Sequence, residues 1–121
     1  MFGNGQGVSQ DYAEAVRLYS LAAAQGHACA QFYLGDMFEL GRGVAQDYAE
    51  AVRLYRLAAA QGDADAQYRL GLMFEYGRGV AQDAAEAIRW YRLAAEQGDD
   101  EAQERLDALV SKSRKRARGG A

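Results

Sequence analysis

The stretch GRGVAQDYAEAVRLYRLAAAQGDADAQYRLGLMFEY, residues 41–76, decides the fold of this 121-residue chain. The same pattern fills residues 5–40 and 77–112 without a gap, and the first two copies share 27 of 36 residues. A fixed period of this length indicates one supersecondary unit that is copied and stacked, so that each copy completes its core against its neighbours. The sequence therefore predicts a single repeat domain over residues 1–111, followed by a basic tail over residues 112–121.

Each copy contains two helix signals that are separated by glycine. In the middle copy Asp47 precedes a glycine-free segment and Glu50 follows three residues later, a combination that satisfies free amides at a helix start. Apolar residues then recur at spacings of three and four, as in an amphipathic helix of about four turns. Gly62 marks the end of this helix, and Asp63 can cap a second one immediately after it. The unit is therefore predicted to be a pair of antiparallel helices.

Two details of the unit return at equivalent positions. The capping aspartate recurs as Asp11 and Asp83, so helices are expected to start there as well. A glycine stands inside the second helix, at Gly35 and Gly71, although it costs about 1 kcal/mol relative to alanine in a helix interior. We expect the partner helix to approach closely at these two glycines.

Residues 64–98 resemble a known repeat family. They read A-x-A-Q-x-x-L-G-x-x-F-x-x-G-x-G-V-x-x-D-x-x-x-A-x-x-W-Y-x-x-A-A-x-x-G, a pattern similar to the Sel-one-like repeat (SLR) family of tetratricopeptide-like helical solenoids. The chain departs from the family at Phe38 and Phe74, where the family often has tyrosine. The resemblance implies an all-α, right-handed superhelical αα-hairpin solenoid of about three 36-residue repeats. It also implies an adaptor of protein complexes, with the second helix of each unit on the concave side.

A comparison of the copies separates fixed positions of the second helix from differing ones. The differing positions fall within about a 100° sector of the helix, beside the fixed apolar stripe. Aromatic side chains and arginine, which occur in this sector, are common in partner surfaces. The predicted docking face for a peptide or protein consists of Phe32, Tyr33, Asp36, Leu40, Tyr68, Arg69, Leu72 and Tyr76. The alternative is that some of these residues pack between repeats and the others vary on the solvent side.

The N-terminal edge of the chain is expected to be unpaired. Met1 and Phe2 align with Met37 and Phe38, so the chain begins near the end of a helix whose earlier part is absent. The helix that follows then lacks its usual partner, and uncovered solenoid ends tend to associate. Self-association, or burial in a longer array, is predicted through the exposed side chains Val16, Tyr19 and Ala23.

Charge and hydropathy restrict the function further. The net charge is −3, but five positive charges lie in residues 112–118, so the preceding residues carry −8. A negatively charged repeat domain is not expected to form a groove that binds nucleic acid, because the phosphates require clustered lysine and arginine. The basic tail, residues 112–121, is expected to be disordered and solubilising, with nucleic-acid contact as the alternative. No apolar run approaches the roughly 20 residues of a membrane span and no signal peptide is evident, so a cytoplasmic location is expected unless a missing N-terminal segment carries a signal.

No residue pattern points to catalysis, to a metal or to a cofactor. His27 and Cys29 are too few for a metal site, which normally needs three or four ligands. The Gly41-Arg42-Gly43 loop lacks the third glycine and the preceding strand of a dinucleotide fingerprint. The chain is therefore predicted to be a non-enzymatic interaction scaffold that binds a protein or peptide. Two alternatives stay open, namely an engineered or consensus-like scaffold and a fragment of a longer array, each without a partner of its own.

Overall fold

Six α-helices follow one another in the computed structural model, which describes residues 6–119. They are α1 Gln6–Ala24, α2 Ala28–Leu40, α3 Tyr48–Ala60, α4 Ala64–Tyr76, α5 Ala84–Glu96 and α6 Asp100–Gly119. The second and fourth helices are displaced by 36 residues, as are the third and fifth, and residues 6–119 contain no strand. The prediction of an all-α αα-hairpin solenoid is confirmed.

Neighbouring helices approach most closely at the two helix-interior glycines. A Cβ atom at Gly35 of α2 would lie 2.8 Å from Cε1 of Tyr55 in α3, and one at Gly71 of α4 would lie 2.5 Å from Cε1 of Tyr91 in α5. Both tyrosine rings are fully buried, so they have little room to move away. The expected reason for these glycines, a close helix contact, is present at both positions.

Buried glutamines connect successive units through side-chain amides. Gln31 and Gln67, at the starts of α2 and α4, are almost fully buried. Gln61 Nε2 donates to Gln31 Oε1 at 2.7 Å, and Gln97 Nε2 donates to Gln67 Oε1 at 2.9 Å. The equivalence of the two pairs shows that the 36-residue period extends to the polar contacts of the core. Because a buried amide without a partner is costly, these bonds favour one register between units.

The capping prediction holds for Asp47, Asp63 and Asp83 and is wrong for Asp11. The amides of Glu50 and Glu86 donate to the Oδ1 atoms of Asp47 and Asp83, each at 3.1 Å. Asp11 instead lies inside α1, which begins at Gln6. The loop before α3 is fixed by contacts with α2, such as the bond from the Asp47 amide to the carbonyl oxygen of Phe38. The residues that would make the equivalent contacts before α1 lie outside the described range, 6–119. The predicted match of residues 1–2 to the end of a helix lies outside this range as well.

The basic tail was predicted to be disordered, but α6 continues through it to Gly119. Residues 112–119 are therefore helical rather than disordered, and residues 120–121 lie outside the described range. Lysine and arginine are good helix formers, and cations near a helix C-terminus stabilise it by about 0.3–1 kcal/mol. Both effects extend the last helix beyond the repeat domain.

Candidate docking face

Three of the eight docking-face residues are widely exposed. Tyr33 and Leu40 of α2 are 48% and 51% exposed, and Tyr76 at the end of α4 is 50% exposed. Large side chains of this kind are normally covered when they serve only packing, so half-exposure marks them as available for contact. These three residues form the part of the docking face that a partner can reach.

Three other docking-face residues pack against the core. Phe32, Tyr68 and Leu72 are half-buried and lie against the core cluster. The Phe32 ring lies 5.9 Å from the ring of Tyr55, and the Tyr68 ring lies 5.9 Å from the ring of Tyr91. For these three side chains the structure agrees with the alternative interpretation, in which they pack between successive 36-residue copies.

The two charged docking-face residues take part in one polar cluster between units. The Tyr55 hydroxyl contacts Asp36 at 2.5 Å and Glu39 at 2.6 Å. Arg69 of the next unit lies 3.9 Å from an oxygen atom of each carboxylate. Burial raises the pKa of Asp36, while the hydrogen bond from Tyr55 and the charge of Arg69 oppose that rise. Asp36 and Arg69 therefore connect α2, α3 and α4 rather than standing free.

An equivalent polar cluster lies one unit further along. Arg105 of α6 pairs with Glu75 and donates to the Tyr76 hydroxyl at 2.9 Å. The Tyr91 hydroxyl donates to Glu75 at 2.7 Å, and burial together with this bond raises the pKa of Tyr91. The sequence analysis missed Arg105, although it stands 36 residues after Arg69 and could have been found from that spacing.

An open pocket of about 170 Å³ lies beside Tyr33 and Leu40. Its lining consists of Tyr12, Tyr19, Tyr33, Asp36, Met37, Leu40 and Arg42. The rings of Tyr19 and Tyr33 stack with centroids 5.5 Å apart, and the Arg42 guanidinium lies 5.6 Å from the centre of the Tyr12 ring. Tyr12 and Arg42 were missed because only the second helix of the unit was compared between copies. The pocket combines aromatic walls with charged groups of both signs.

The residues predicted to be exposed at the N-terminal edge are partly exposed, whereas their equivalents Val52, Tyr55 and Ala59 are buried. Val16, Tyr19 and Ala23 are half-buried, and Tyr19 is covered by its stacking on Tyr33. The exposed apolar residue that distinguishes this edge is Leu18. It is 51% exposed, whereas its equivalents Leu54 and Trp90 are 2% and 8% exposed.

The described residues hold no arrangement typical of a metal site or of a membrane segment. Within residues 6–119 no three histidine, cysteine, aspartate or glutamate residues are grouped so that they could hold a metal ion. None of the helices in that range has the length and apolarity that crossing a bilayer requires.

Comparison with known families identifies the repeat. The sequence model of the Sel1 repeat matches residues 1–27, 30–63 and 64–99. The chain belongs to the Sel1 repeat family. Proteins with Sel1 repeats are generally protein-protein interaction scaffolds and are generally non-catalytic. In the Sel1 phase, α2 and α3 form one repeat and α4 and α5 form the next, so each close contact between a glycine and a tyrosine lies within a repeat.

Solved structures of other Sel1 repeat proteins share this fold. A protective antigen of uropathogenic Escherichia coli with an SLR fold is 44% identical, with a TM-score of 0.85 over 91% of this chain and 24% of its own. A Sel1 repeat protein from Oxalobacter formigenes is 41% identical, with a TM-score of 0.75 over 78% of this chain and 39% of its own. Cysteine rich protein B of Helicobacter pylori is 26% identical, with a TM-score of 0.72 over 75% of this chain and 68% of its own.

The chain is shorter than the first two of these proteins, of which it spans less than half. No match was found among curated proteins.

Proposed function

We propose that this chain is a non-catalytic interaction module that binds a peptide or protein segment through its docking face. The observation that supports this most is the half-exposure of Tyr33, Leu40 and Tyr76 on α2 and α4. Tyrosine offers a large contact area at low cost in conformational entropy, and residues of this type supply much of the energy of protein interfaces. The general role of Sel1 repeat proteins as scaffolds agrees with this function.

Arginines beside the exposed tyrosines indicate the chemistry of the partner. The guanidinium groups of Arg78 and Arg105 lie 5.5 Å and 5.8 Å from the centre of the Tyr76 ring. They hold that ring in place, because a cation over an aromatic face stabilises the pair by about 0.5–1 kcal/mol at an exposed site. We expect the partner segment to place an apolar side chain against the ring of Tyr76 and an adjacent carboxylate next to the arginines.

A displayed peptide library, screened on the intact chain, tests the docking face directly. The selected peptides should bind the Y33A/Y76A variant about tenfold or more weakly, because truncating interface tyrosines often costs 2 kcal/mol or more. Both tyrosines are half-exposed, so the variant should stay folded, with a slightly lower unfolding temperature because the Tyr19–Tyr33 stacking and the hydrogen bond from Arg105 to Tyr76 are lost. The matched control is Leu93→Ala, which removes an exposed side chain from α5. Equal binding of the selected peptides to Y33A/Y76A and to the wild type would refute this function.

We also propose that the N-terminal edge associates with a second copy, and we assign this contact to Leu18. At the equivalent positions of α3 and α5 the side chains of Leu54 and Trp90 are covered, so the same face of α1 is shaped to pack against a helix. Sedimentation velocity should show association that grows with concentration and that Leu18→Glu abolishes. Leu93→Glu places the same charge on a side chain that is exposed anyway, and should leave association unchanged. A wild type that stays monomeric at high concentration would contradict this assignment.

A further inference from the structure

Two equivalent loops each present an arginine next to the docking face. Arg42 stands in the Gly-Arg-Gly loop after α2, and Arg78 stands in the Gly-Arg-Gly loop after α4. Each follows an exposed apolar residue of the docking face by two positions, namely Leu40 and Tyr76. Both arginines are exposed. The repeat therefore places the same pair, one large apolar side chain and one arginine, twice on the surface.

The backbone of these loops is fixed at the arginines. The amide of Arg42 donates to the carbonyl oxygen of Met37 at 2.9 Å, and the equivalent bond at Arg78 has the same length. The glycine that follows each arginine has a positive φ, and a Cβ atom at Gly79 would lie 2.5 Å from the carbonyl oxygen of Tyr48. Only glycine fits so close to the neighbouring helix at this φ, so each loop presents its arginine from one backbone position.

Both arginines lie over tyrosine rings and have no acidic partner. The Arg42 guanidinium is 5.6 Å from the centre of the Tyr12 ring, and the Arg78 guanidinium is 5.9 Å from the centre of the Tyr48 ring. In the described part of the chain neither arginine forms an ion pair with an aspartate or a glutamate. The planar guanidinium group of each can therefore bind a carboxylate through two parallel hydrogen bonds.

The other arginines of this surface differ in this respect. Arg69 lies 3.9 Å from oxygen atoms of Asp36 and Glu39, and Arg105 pairs with Glu75. These two cations already have carboxylates of the chain itself beside them. A partner carboxylate that reaches the docking face therefore finds its available cations in the two Gly-Arg-Gly loops.

The first of the two pairs also has a pocket. The pocket of about 170 Å³ that Leu40 and Arg42 help to line is smaller than the sites of small-molecule ligands, which enclose about 300–1,000 Å³, so it suits a single side chain. Asp36, the other charged group of its lining, is engaged by Tyr55 and Arg69. An apolar side chain therefore fits the pocket, and a carboxylate next to it fits Arg42.

We propose that the partner segment carries two pairs of an apolar and an acidic residue, and that the two carboxylates bind Arg42 and Arg78. This inference rests on the proposed function, because it describes the partner of the docking face. A helix with its side chains is about 10–12 Å across, so equivalent points of α2 and α4 are about that far apart. An extended peptide covers about 3.3 Å per residue, so the two acidic residues should lie about three or four positions apart.

The peptides selected from the displayed library on the intact chain are the probes. Arg42→Gln and Arg78→Gln should each weaken binding of a selected peptide by about threefold or more, as expected for the loss of an exposed ion pair. The two losses should multiply in R42Q/R78Q, to about tenfold, because the two contacts are separate. Arg92→Gln, the matched control, neutralises an exposed arginine of α5 and should leave binding unchanged.

Glutamine replacements in the peptide assign each contact. Replacing the acidic residue that binds Arg42 should abolish the effect of Arg42→Gln and leave the effect of Arg78→Gln. Replacing the other acidic residue should do the reverse. Such double-mutant cycles separate a direct contact from general electrostatic attraction. The two acidic residues that they identify should be about three or four positions apart in the peptide.

The outcomes separate this inference from the proposed function. Peptides that lose binding to Y33A/Y76A but bind R42Q/R78Q like the wild type would overturn the inference and leave the proposed function intact. An equal loss with Arg92→Gln, or a single acidic residue that accounts for both arginine effects, would overturn the inference as well. Absence of any selected peptide, or equal binding to Y33A/Y76A and to the wild type, would refute both together.

Discussion

At the scale of single residues, one repeat position has three different environments in this chain. Leu18, Leu54 and Trp90 are related by 36 residues. The first is exposed at the edge, the second is a buried leucine, and the third is a buried tryptophan whose ring centre lies 4.6 Å from the Arg89 guanidinium. The backbone position is the same in each copy, while the volume of the side chain and the neighbouring residues determine how far that side chain is exposed.

Gly71→Ala tests the closest approach between α4 and α5. Alanine should favour the helix by about 1 kcal/mol on propensity alone. Its Cβ would lie 2.5 Å from Cε1 of the buried Tyr91 ring, however, and overpacking of that kind costs about 1–3 kcal/mol. We expect a net decrease in the free energy of unfolding, measured by urea denaturation, and a smaller decrease for Gly35→Ala, where the distance is 2.8 Å. A Gly71→Ala variant that is more stable than the wild type would show that the helices can move apart.

At the scale of elements, the middle helices follow their local sequence and the end helices do not. α3, α4 and α5 start directly after the aspartates that predict them, and α2 starts after Gly26 and His27; each of these helices is fixed by a neighbour on both sides. α1 starts earlier than its signal and α6 ends later.

The three equivalent aspartates give a prediction at this scale. Asp83→Ala should lower the free energy of unfolding by about 1 kcal/mol, because it removes the side chain that accepts the Glu86 amide at the start of α5. Asp11→Ala should have almost no effect, since Asp11 lies within α1 and caps nothing there. Denaturant unfolding of the two variants compares them directly. Equal losses of stability would mean that α1 also begins at Asp11 in solution.

The docking face shows where prediction from sequence ends. A helical projection correctly placed Tyr33, Leu40 and Tyr76 on one accessible sector of α2 and α4. It also placed Phe32 and Tyr68 there, which Tyr55 and Tyr91 of the neighbouring helices cover. Exposure depends on the position of the next helix, and the projection of one helix does not contain that information. The repeat predicted the fold well because its signals are local and occur several times.

At the scale of the whole molecule, polar contacts between neighbouring helices hold the solenoid together. The amide pair of Gln97 and Gln67 joins α5 to α4, the ion pair of Arg105 and Glu75 joins α6 to α4, and each pair spans 30 positions. Stability in such an array is close to a sum of repeat and nearest-neighbour terms. The docking face contains residues that take part in such contacts, namely Asp36 and Arg69, and residues that stand outside them, namely Tyr33 and Leu40.

The most direct test of the central claim is an NMR map of a library-selected peptide bound to the intact, isotope-labelled chain. If the docking face is the binding surface, the largest shift changes will fall on Tyr33, Leu40 and Tyr76 and on their neighbours in α2 and α4. The Y33A/Y76A variant will lose those changes. Shift changes confined to α5 and α6, with these three residues unaffected, would contradict the claim.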